Sequence, residues 1–399
     1  MSDTSATILV INTGSSSLKL GLYMERGGEE QLLLDGLADG IGRGGGVLTM
    51  RDGAGKVLRS EGLAATTQHD ALREVVRWLG ELAPTKPAAI GHRVVHGGPR
   101  LTEHQRITPE VLQELQACVH FAPLHIPLAL VLIGEAQAAY PNVPEFACFD
   151  TAFHRTIPET AARFALPREL YDKGVQRYGF HGLSYESILY QLGHRIGSEL
   201  PRRIVLAHLG SGASLAAVLD GRSVDTSMGL TPTGGIPMAT RCGDLDPGVL
   251  LYLLRQEGAT ADTLEQMLNH DSGLKALSGG VADMRDLETA AAKGDNKAQL
   301  AVEVFCGRIA QTIAGYATEL GGLDLLVFSG GIGEHSQQVR AAVCSRLEFL
   351  GVRLDAANNR AHASTISCAE SSVRVAIIPS EEDRQIARHC RALLTSSSC

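Results

Sequence analysis

The feature that most constrains the fold of this chain is one pattern that occurs twice: an apolar run, a turn of small residues and a second apolar run. The first copy, TILVINTGSSSLKLGLYME, begins at Thr7, and the second, RIVLAHLGSGASLAAVLDG, begins at Arg203. Two apolar runs joined by a glycine-containing turn predict a β-hairpin. Such a match can arise by chance in glycine-rich hairpins, but its return in the second half of the chain favours an internal duplication.

Helical patterns and further strands follow each hairpin. In HDALREVVRWLGEL, Leu72, Val75 and Leu79 recur at helical spacing, and in AVEVFCGRIAQTIAGYATEL Phe305 and Ile309 do the same. The apolar runs AAIGHRVV and LDLLVFS predict buried strands that lead towards glycine pairs. This alternation predicts an α/β fold with two related domains and a cleft between them.

The composition argues against several classes of protein. A net charge of −8 is unlike the basic face of a nucleic-acid-binding protein. The longest apolar stretch, 126–134, is far shorter than the ~20 residues that cross a bilayer, and Asp3 stands where a signal peptide would be basic. The 8 cysteines are scattered without a CxxC pair, which argues against a zinc site or a disulfide framework. We therefore expect a soluble, cytoplasmic protein with no membrane or nucleic-acid partner.

Three glycine-rich turns are candidate anion sites. They lie at Gly14–Ser17, Gly210–Gly212 and Gly330–Gly333, where small residues expose backbone N–H groups and hydroxyls. One such turn alone is most simply just a turn, but three together favour the binding of nucleotide phosphates. The first is not a Walker A loop, because Leu18 rather than glycine precedes Lys19.

Several charged or titratable residues stand in settings that suit a site. Arg93 lies in an apolar strand, where an unpaired charge would be costly, and Arg241 lies among small residues in a loop. Both suit bidentate recognition of carboxylate or phosphate, although a structural salt bridge is the simpler role for either alone. His181 follows an aromatic residue and precedes a glycine, which is typical of a loop close to a ligand. Asp150 ends an apolar segment, where it could equally cap a helix.

Taken together, the motifs resemble those of one family over nearly the whole chain. The resemblance runs from about Ile8 to about Arg388, and ten motifs follow one another in the order found in acetate kinases: ILVINTGSSSLKL, GHRVVHGG, APLH, FDTAFHRTIP, YGFHGLS, HLGSGAS, DTSMGLTPTGG, TRCGDLDPG, DMRDL and FSGGIGEHS. That family belongs to the acetate and sugar kinase/Hsp70/actin superfamily. The resemblance implies a homodimer whose chain has two duplicated ribonuclease-H-like (actin-like ATPase) domains around a central cleft. It implies an N-terminal domain of residues 1–150, joined by a C-terminal helix at 381–399, and a nucleotide-binding domain of residues 151–380.

The activity that this resemblance implies is reversible phosphoryl transfer between ATP and acetate, giving ADP and acetyl phosphate, with Mg²⁺ or Mn²⁺ as cofactor. Five residues would carry out or line the chemistry: Arg93, His125, Asp150, His181 and Arg241. Arg93 would also join the apolar residues that bind the acetate, which are Val95, Leu124, Phe180 and Pro232. Two residues would hold the metal ion: Asn12 and Glu382.

The nucleotide and its phosphates would be bound by residues from four segments. These residues are Ser15, Ser17 and Lys19; His208, Leu209, Gly210, Ser211 and Gly212; Asp283, Met284 and Arg285; and Gly331, Ile332, Gly333, Glu334 and His335. The chain departs from the family at Ser211 and His335, where asparagine is usual, and these departures bear on nucleotide preference. Glu381, one residue from Glu382, is the alternative metal ligand.

The expected mechanism follows from the charge of the substrate. Acetate has a pKa close to that of glutamate and is ionised at neutral pH, so its oxygen needs no deprotonation. We therefore expect Asp150 to position the metal ion or its waters, while Arg93, His181 and Arg241 stabilise a phosphoryl group in direct, in-line transfer. A phosphohistidine intermediate is the less simple alternative. The alternative functions are a propionate or butyrate kinase, which differs in pocket size, and a non-catalytic nucleotide-dependent binding protein of the same fold.

Overall fold

The computed structural model describes residues 6–13, 17–42, 45–83, 85–123, 125–196 and 200–396. The chain divides into two compact units, which we call unit 1 and unit 2. Unit 1 comprises Met1–Ala152 together with Glu381–Cys399, and unit 2 comprises Phe153–Ser380. Unit 1 is therefore discontinuous in the sequence.

The described residues form both strands and helices. The strands are β1 (Thr7–Thr13), β2 (Ser17–Arg26), β3 (Glu29–Asp39), β4 (Val47–Asp52), β5 (Val57–Gly62), β6 (Ala89–Val94), β7 (Gln105–Arg106), β8 (Glu145–Phe149), β9 (Arg203–Leu209), β10 (Ala213–Leu219), β11 (Arg222–Thr226), β12 (Leu325–Ser329) and β13 (Arg374–Ile377). The helices are α1 (Gln68–Leu82), α2 (Pro109–Ala117), α3 (Ile126–Ala139), α4 (Glu159–Ala162), α5 (Arg168–Asp172), α6 (Gly182–Ile196), α7 (Pro247–Gln256), α8 (Ala261–His270), α9 (Gly273–Ser278), α10 (Met284–Ala292), α11 (Asn296–Glu319), α12 (Gly330–His335), α13 (Gln337–Ser345), α14 (Ala356–Arg360) and α15 (Glu382–Ser396).

The sheet of unit 1 has the strand order β5-β4-β3-β2-β1-β6-β8-β7. Strand β1 pairs antiparallel with β2 and parallel with β6, which in turn pairs parallel with β8. The side chains of residues 8–11 in β1 are buried, as expected for an apolar run in the interior of a sheet. Because the carboxyl ends of parallel strands meet at one edge, Asn12, Arg93 and Asp150 come to the same edge.

Helix α15 packs against β1 and β6 of this sheet. A Cβ atom at Gly91 in β6 would lie 2.5 Å from Cys390 Sγ and 2.6 Å from Ile386 Cγ2, both on α15. Glycine is therefore the residue that lets the helix approach the strand this closely. This approach brings the first turn of α15 to the carboxyl ends of β1 and β6.

The periodic apolar segments form the helices that their spacing predicts. Helix α1 buries Leu72, Val75 and Leu79, and helix α11 buries Phe305 and Ile309. Each helix begins after a side chain that accepts backbone N–H groups of the first turn, a threonine for α1 and an aspartate for α11. None of the helices in the described residues is long and apolar enough to cross a bilayer.

The sheet of unit 2 has the order β11-β10-β9-β12-β13. Strand β9 pairs antiparallel with β10 and parallel with β12, and β12 pairs parallel with β13. Unit 1 contains the same arrangement in β3-β2-β1-β6-β8. The predicted duplicated α/β fold is therefore confirmed, and the two copies of the sequence pattern are the hairpins β1–β2 and β9–β10.

The segment Gly330–Gly333 is the third of the glycine-rich turns that the sequence predicts. It is the start of the short helix α12, which follows β12, rather than a link between antiparallel strands. Gly330 has φ = 75°, and a Cβ atom there would lie 2.7 Å from the carbonyl oxygen of Leu209. The glycine is thus needed for close contact with the end of β9. Of the first predicted turn, residues 14–16 lie outside the described residues.

Candidate functional site

Unit 1 carries a cluster of charged side chains at the carboxyl edge of its sheet. Nε and Nη2 of Arg93 donate to the carboxylate of Asp150, with 2.7 Å between Nη2 and Oδ2. Nη1 of Arg93 donates to Oδ1 of Asn12 at 3.2 Å and lies 3.9 Å from Oε2 of Glu382. Because Asp150 is only 1% exposed, a partner cation is required to keep its charge in this position. Arg93 supplies that charge and so fulfils the structural role considered from the sequence.

Helix α15 adds two further carboxylates to this cluster, those of Glu382 and Asp383. Nδ2 of Asn12 donates to Oδ1 of Asp383 at 2.6 Å. Burial raises the pKa of Asp383, and the hydrogen bond from Asn12 acts against that rise. Burial also acts to lower the pKa of Arg93, but the charges of Asp150 and Glu382 outweigh it and hold this pKa above its usual value.

The cluster has the composition of a site for a divalent cation. Three carboxylates, those of Asp150, Glu382 and Asp383, accompany the guanidinium of Arg93, so negative charge is in excess. Carboxylate and amide oxygens are the protein ligands that Mg²⁺ takes. The residues therefore fit the metal ion that the resemblance implies, and Asp383 is a candidate ligand that the sequence analysis missed. The alternative ligand, Glu381, pairs instead with an arginine one turn further along α15, at 3.0 Å.

The hairpin β1–β2 places a second cation near the cluster. Lys19 pairs with Asn12 in the strand register and is exposed. Its charge opposes the burial that raises the pKa of Asp383, so Lys19 acts on the same edge of the sheet. Ser17 is half-buried at the start of β2, and Ser15 lies outside the described residues.

Unit 2 brings His181 and Arg241 to the turn between β9 and β10. A Cβ atom at Gly212 would lie 3.4 Å both from Nε2 of His181 and from Nη1 of Arg241. The rings of His181 and His208 stack with their centroids 4.5 Å apart, and Nη1 of Arg241 donates to the carbonyl oxygen of Pro232 at 3.2 Å. A guanidinium, two imidazoles and a glycine backbone thus converge on one turn, which suits the oxygens of a phosphate.

The backbone of His181 is in the left-handed region, with φ = 58°, which a non-glycine residue rarely adopts. The preceding residue, Phe180, is held through its carbonyl oxygen, which lies 3.0 Å from Nε2 of His154. Burial lowers the pKa of His154 to about 4, so its ring is neutral near pH 7. Nδ1 of the same ring lies 2.8 Å from Oγ of Ser223. An unusual backbone conformation that neighbouring groups hold in place is typical of functional sites.

A cavity of about 320 Å³ lies beside the same turn in unit 2. Its size is within the range of small-molecule sites. Predicted nucleotide-binding residues line it: Gly210, Ser211, Asp283, Met284, Arg285, Gly331, Ile332 and His335. Ala239, Ala282, Glu288 and Ser336 also line it. The sequence analysis did not single out these four residues.

Asp283 and Arg285 pair in the wall of this cavity. Nε and Nη2 of Arg285 donate to the carboxylate of Asp283, with 2.8 Å between Nη2 and Oδ2, and Asp283 also caps α10. The hydrogen bonds from Arg285 lower the pKa of Asp283 to about 2. The side chain of Arg285 is 89% exposed, so a phosphate or ribose can reach its guanidinium.

The α12 wall of the cavity is supported from behind by Glu334 and Arg340. The carboxylate of Glu334 accepts the backbone N–H groups of Gly330 at 2.9 Å and Ser380 at 3.3 Å. Arg340 is fully buried, and its Nη1 donates to the carbonyl oxygens of Gly333 and Glu334. Burial lowers the pKa of Arg340 to about 10. Arg340 was not predicted, because no sequence signal marks an arginine in a polar helix as buried.

The remaining predicted residues belong to different units. In unit 1, Val95 follows β6 and His125 directly precedes α3, and both are half-buried. In unit 2, the ring of Phe180 is 1% exposed, and the backbone of Pro232 holds Arg241. Leu124 lies outside the described residues.

Known proteins resemble this chain over nearly its whole length. The profile of the acetokinase family matches residues 7–388. The acetate kinase of Methylocella silvestris is 45% identical over 401 residues, which cover 98% of each chain. The solved acetate kinase of Porphyromonas gingivalis superimposes with a TM-score of 0.88 at 35% identity, over 98% of this chain and 100% of the other. A propionate kinase from Francisella tularensis superimposes with a TM-score of 0.91 at 36% identity, over 97% and 100%.

These likenesses agree with the duplicated sheets and confirm the actin-like ATPase fold that the motifs predict. They are too extensive and too similar in sequence to reflect fold alone. The chain belongs to the acetokinase family.

Proposed function

We propose that this protein catalyses reversible phosphoryl transfer between ATP and acetate, giving ADP and acetyl phosphate. The observation that carries the proposal is the convergence of His181, Arg241 and the backbone of Gly212 beside a nucleotide-sized cavity. Membership of the acetokinase family and the 45% identical acetate kinase support the choice of acetate. The reaction class is that of a phosphotransferase with a carboxyl group as acceptor.

In unit 2, the cavity would take the adenosine and the turn Gly210–Gly212 would take the phosphates. The pair Asp283–Arg285 offers a carboxylate and a guanidinium to the ribose and the phosphates. Beside the turn, Arg241 and His181 would donate to the oxygens of the phosphoryl group as it is transferred. Transfer of this kind needs positioning and charge stabilisation, and the substrate carboxylate attacks directly, without a covalent enzyme intermediate.

In unit 1, the cluster would serve the acid substrate and the cation. Both oxygens of Asp150 accept hydrogen bonds from Arg93, and the substrate is already ionised, so Asp150 acts as a positioning group rather than a general base. Asp150, Glu382 and Asp383, with Asn12, would hold Mg²⁺ or Mn²⁺. When bound, this ion neutralises phosphate charge.

An assay that traps acyl phosphate with hydroxylamine tests the proposal. We expect product with ATP, Mg²⁺ and acetate, and a higher kcat/KM for acetate than for propionate or butyrate. A higher kcat/KM for either longer acid would instead identify the alternative kinase. Absence of acyl phosphate with all three acids would overturn the proposed activity and favour a nucleotide-dependent binding protein.

We further propose that the protein is a homodimer that associates through α7. Val249, Leu251, Tyr252 and Leu254 on this helix are each between 42% and 55% exposed, and no α7 residue is buried. Apolar surface of this kind is stabilised when a second subunit covers it. Leu251→Asp should reduce the mass measured by light scattering to that of a monomer, whereas Leu166→Asp, at another exposed leucine, should not. A monomeric wild-type protein would contradict the proposal.

No disulfide bond joins the described cysteines to one another, which supports a reducing location such as the cytoplasm. Cell fractionation tests this expectation, and recovery in a secreted fraction would contradict it.

A further inference from the structure

We propose that Tyr185 and Ser214 are positioning residues that hold His181 as the neutral tautomer with its proton on Nε2. This inference rests on the proposed phosphoryl transfer, in which His181 donates to a phosphate oxygen. It concerns two buried residues on the Nδ1 side of the imidazole, whereas Nε2 faces Gly212.

Three side chains form a continuous hydrogen-bonded chain in unit 2. The hydroxyl of Tyr185 lies 2.5 Å from Oγ of Ser214, and Oγ of Ser214 lies 2.9 Å from Nδ1 of His181. Tyr185 and Ser214 are both 0% exposed. In the described part of the chain, these are the two side-chain partners of the Ser214 hydroxyl.

The protonation of Tyr185 sets the direction in which the hydroxyl groups of this chain donate. Burial raises the pKa of Tyr185 well above its usual range, so the phenol is protonated at neutral pH. Its hydroxyl lies 2.5 Å from Oγ of Ser214, which is its side-chain partner in the described part of the chain. The phenol proton is therefore available to Ser214. The serine proton in turn points to Nδ1 of His181.

This arrangement leaves Nδ1 of His181 as an acceptor and puts the ring proton on Nε2. Nε2 is the atom that lies 3.4 Å from the Cβ position of Gly212, on the side of the proposed phosphate site. A second proton on Nδ1 would face the serine proton, so either the Ser214 or the Tyr185 hydroxyl would lose its buried acceptor.

The charged and titratable groups around His181 favour the same neutral form. Nη1 of Arg241 approaches the same glycine, and the ring of His208 stacks at 4.5 Å between centroids. Nδ1 of His208 is itself bonded to Ser184 at 2.8 Å. A cationic His181 would therefore be repelled by Arg241 and by any charge on His208. The neutral ring can still donate from Nε2.

The first test is a ¹⁵N NMR measurement of the histidine rings in the wild-type protein, with His181→Asn used to assign the signal. We expect the Nε2–H tautomer for His181 at neutral pH. A proton on Nδ1, or on both nitrogens, would overturn the inference. This readout needs no turnover, so it remains decisive even if the protein forms no acyl phosphate, a result that would count against the proposed function alone.

The second test compares Tyr185→Phe with Tyr178→Phe. Tyr178 is a buried tyrosine whose hydroxyl donates to the carbonyl oxygen of Gly174 at 2.9 Å. In Tyr185→Phe, Ser214 no longer receives a proton and can accept one from Nδ1. We therefore expect kcat to fall about tenfold with KM nearly unchanged. We also expect the acid limb of the kcat–pH profile, and the His181 titration, to move to higher pH.

Tyr178→Phe should keep the wild-type profile and the wild-type His181 signal. Equal profiles for all three proteins would overturn the inference. If Tyr185→Phe does not fold, Ser214→Ala supplies the same comparison, because it removes the donor to Nδ1 directly.

Discussion

The two sheets share one topology but carry different groups at corresponding places. In unit 1, the register places Lys19 opposite Asn12. Arg93 in β6 directly follows His92, which pairs with Ile11 of β1. In unit 2, the equivalent strand β9 carries His208, which pairs with Ser214 on one side and Ser329 on the other.

The comparison shows that both units place side chains at the same edge of a shared backbone arrangement. The charges of those side chains, rather than the backbone, determine which kind of ligand the edge suits. Around the unit 1 edge, carboxylates outnumber the arginine that pairs with them, which suits a divalent cation. Around the unit 2 edge, imidazoles, hydroxyls, glycines and Arg241 surround the turn, which suits phosphate oxygens. The two units would thus divide cation binding and anion binding between them.

The largest expected effect is that of Arg241→Ala, which removes the cation from the unit 2 edge. We expect kcat to fall about 10³-fold because charge on the transferred phosphoryl group loses a donor. Circular dichroism should show an intact fold, and the Mg²⁺ requirement should stay unchanged. Arg241→Lys, which keeps the charge, should retain more activity. Near-normal turnover in Arg241→Ala would remove this residue from the site.

Asp150→Asn removes one negative charge from the unit 1 edge and leaves the size of the side chain nearly unchanged. We expect about 10²-fold lower kcat, since Arg93 loses the carboxylate that holds it and the cation loses a neighbour. The pH profile of the residual activity should keep the limbs of the wild-type profile near neutral pH. Loss of a basic limb would instead assign general-base catalysis to Asp150.

Acid should weaken unit 2 through His154, a buried neutral histidine without a carboxylate partner among its hydrogen bonds. In unit 1, by contrast, the buried His92 lies 2.8 Å from Glu145. Burial lowers the pKa of His154 from 6.5 to about 4 in the folded protein. Between these pH values the ring is protonated in the unfolded chain and neutral in the folded chain. Stability is therefore lost as the pH falls from about 6.5 towards 4, by about 2 kcal/mol at pH 5.

Urea unfolding at pH 7 and pH 5 measures this loss. The variant His154→Gln should show a smaller pH dependence than the wild type in circular dichroism. The fluorescence of Trp78, a tryptophan in the core of unit 1, reports the other unit separately. An equal pH dependence in variant and wild type would show that His154 does not carry the effect.

The smallest effect is expected for Asp383→Asn, which lowers the negative charge of the unit 1 edge. The Mg²⁺ concentration for half-maximal activity should rise about tenfold, with kcat at saturating Mg²⁺ nearly unchanged. Glu381→Gln is the matched control, because Glu381 is engaged by an arginine in the first turn of α15. An unchanged Mg²⁺ dependence in Asp383→Asn would remove this carboxylate from the cation site.

Much of the fold could be predicted because it depends on local patterns. The repeated hairpin, the buried strands and the spacing of Phe305 and Ile309 each reflect the contacts of one element with one core. The close contact made by Gly330 could not be predicted in this way, since a Cβ atom there would lie 2.7 Å from the carbonyl oxygen of Leu209, which belongs to a different strand.

The same distinction between local sequence pattern and tertiary packing applies to the candidate site. Arg93 and Asp150 could be singled out because a charged residue within an apolar strand or at the end of an apolar segment is unusual. Asp383, Arg340 and the Tyr185–Ser214 pair could not, because their roles depend on how helices pack. In a polar helical sequence, nothing distinguishes a buried arginine from an exposed one. Likewise, the sequence around a serine in a strand does not indicate that its hydroxyl contacts an imidazole.

The discontinuity of unit 1 sets an order of events during synthesis. The ribosome makes β1, β6 and β8 first, then all of unit 2, and only then Glu382 and Asp383 on α15. Until α15 emerges, the nascent sheet exposes the groove beside Gly91 and has Asp150 without the other two carboxylates. The growing chain can thus complete unit 2 before the groups of the proposed cation site in unit 1 come together.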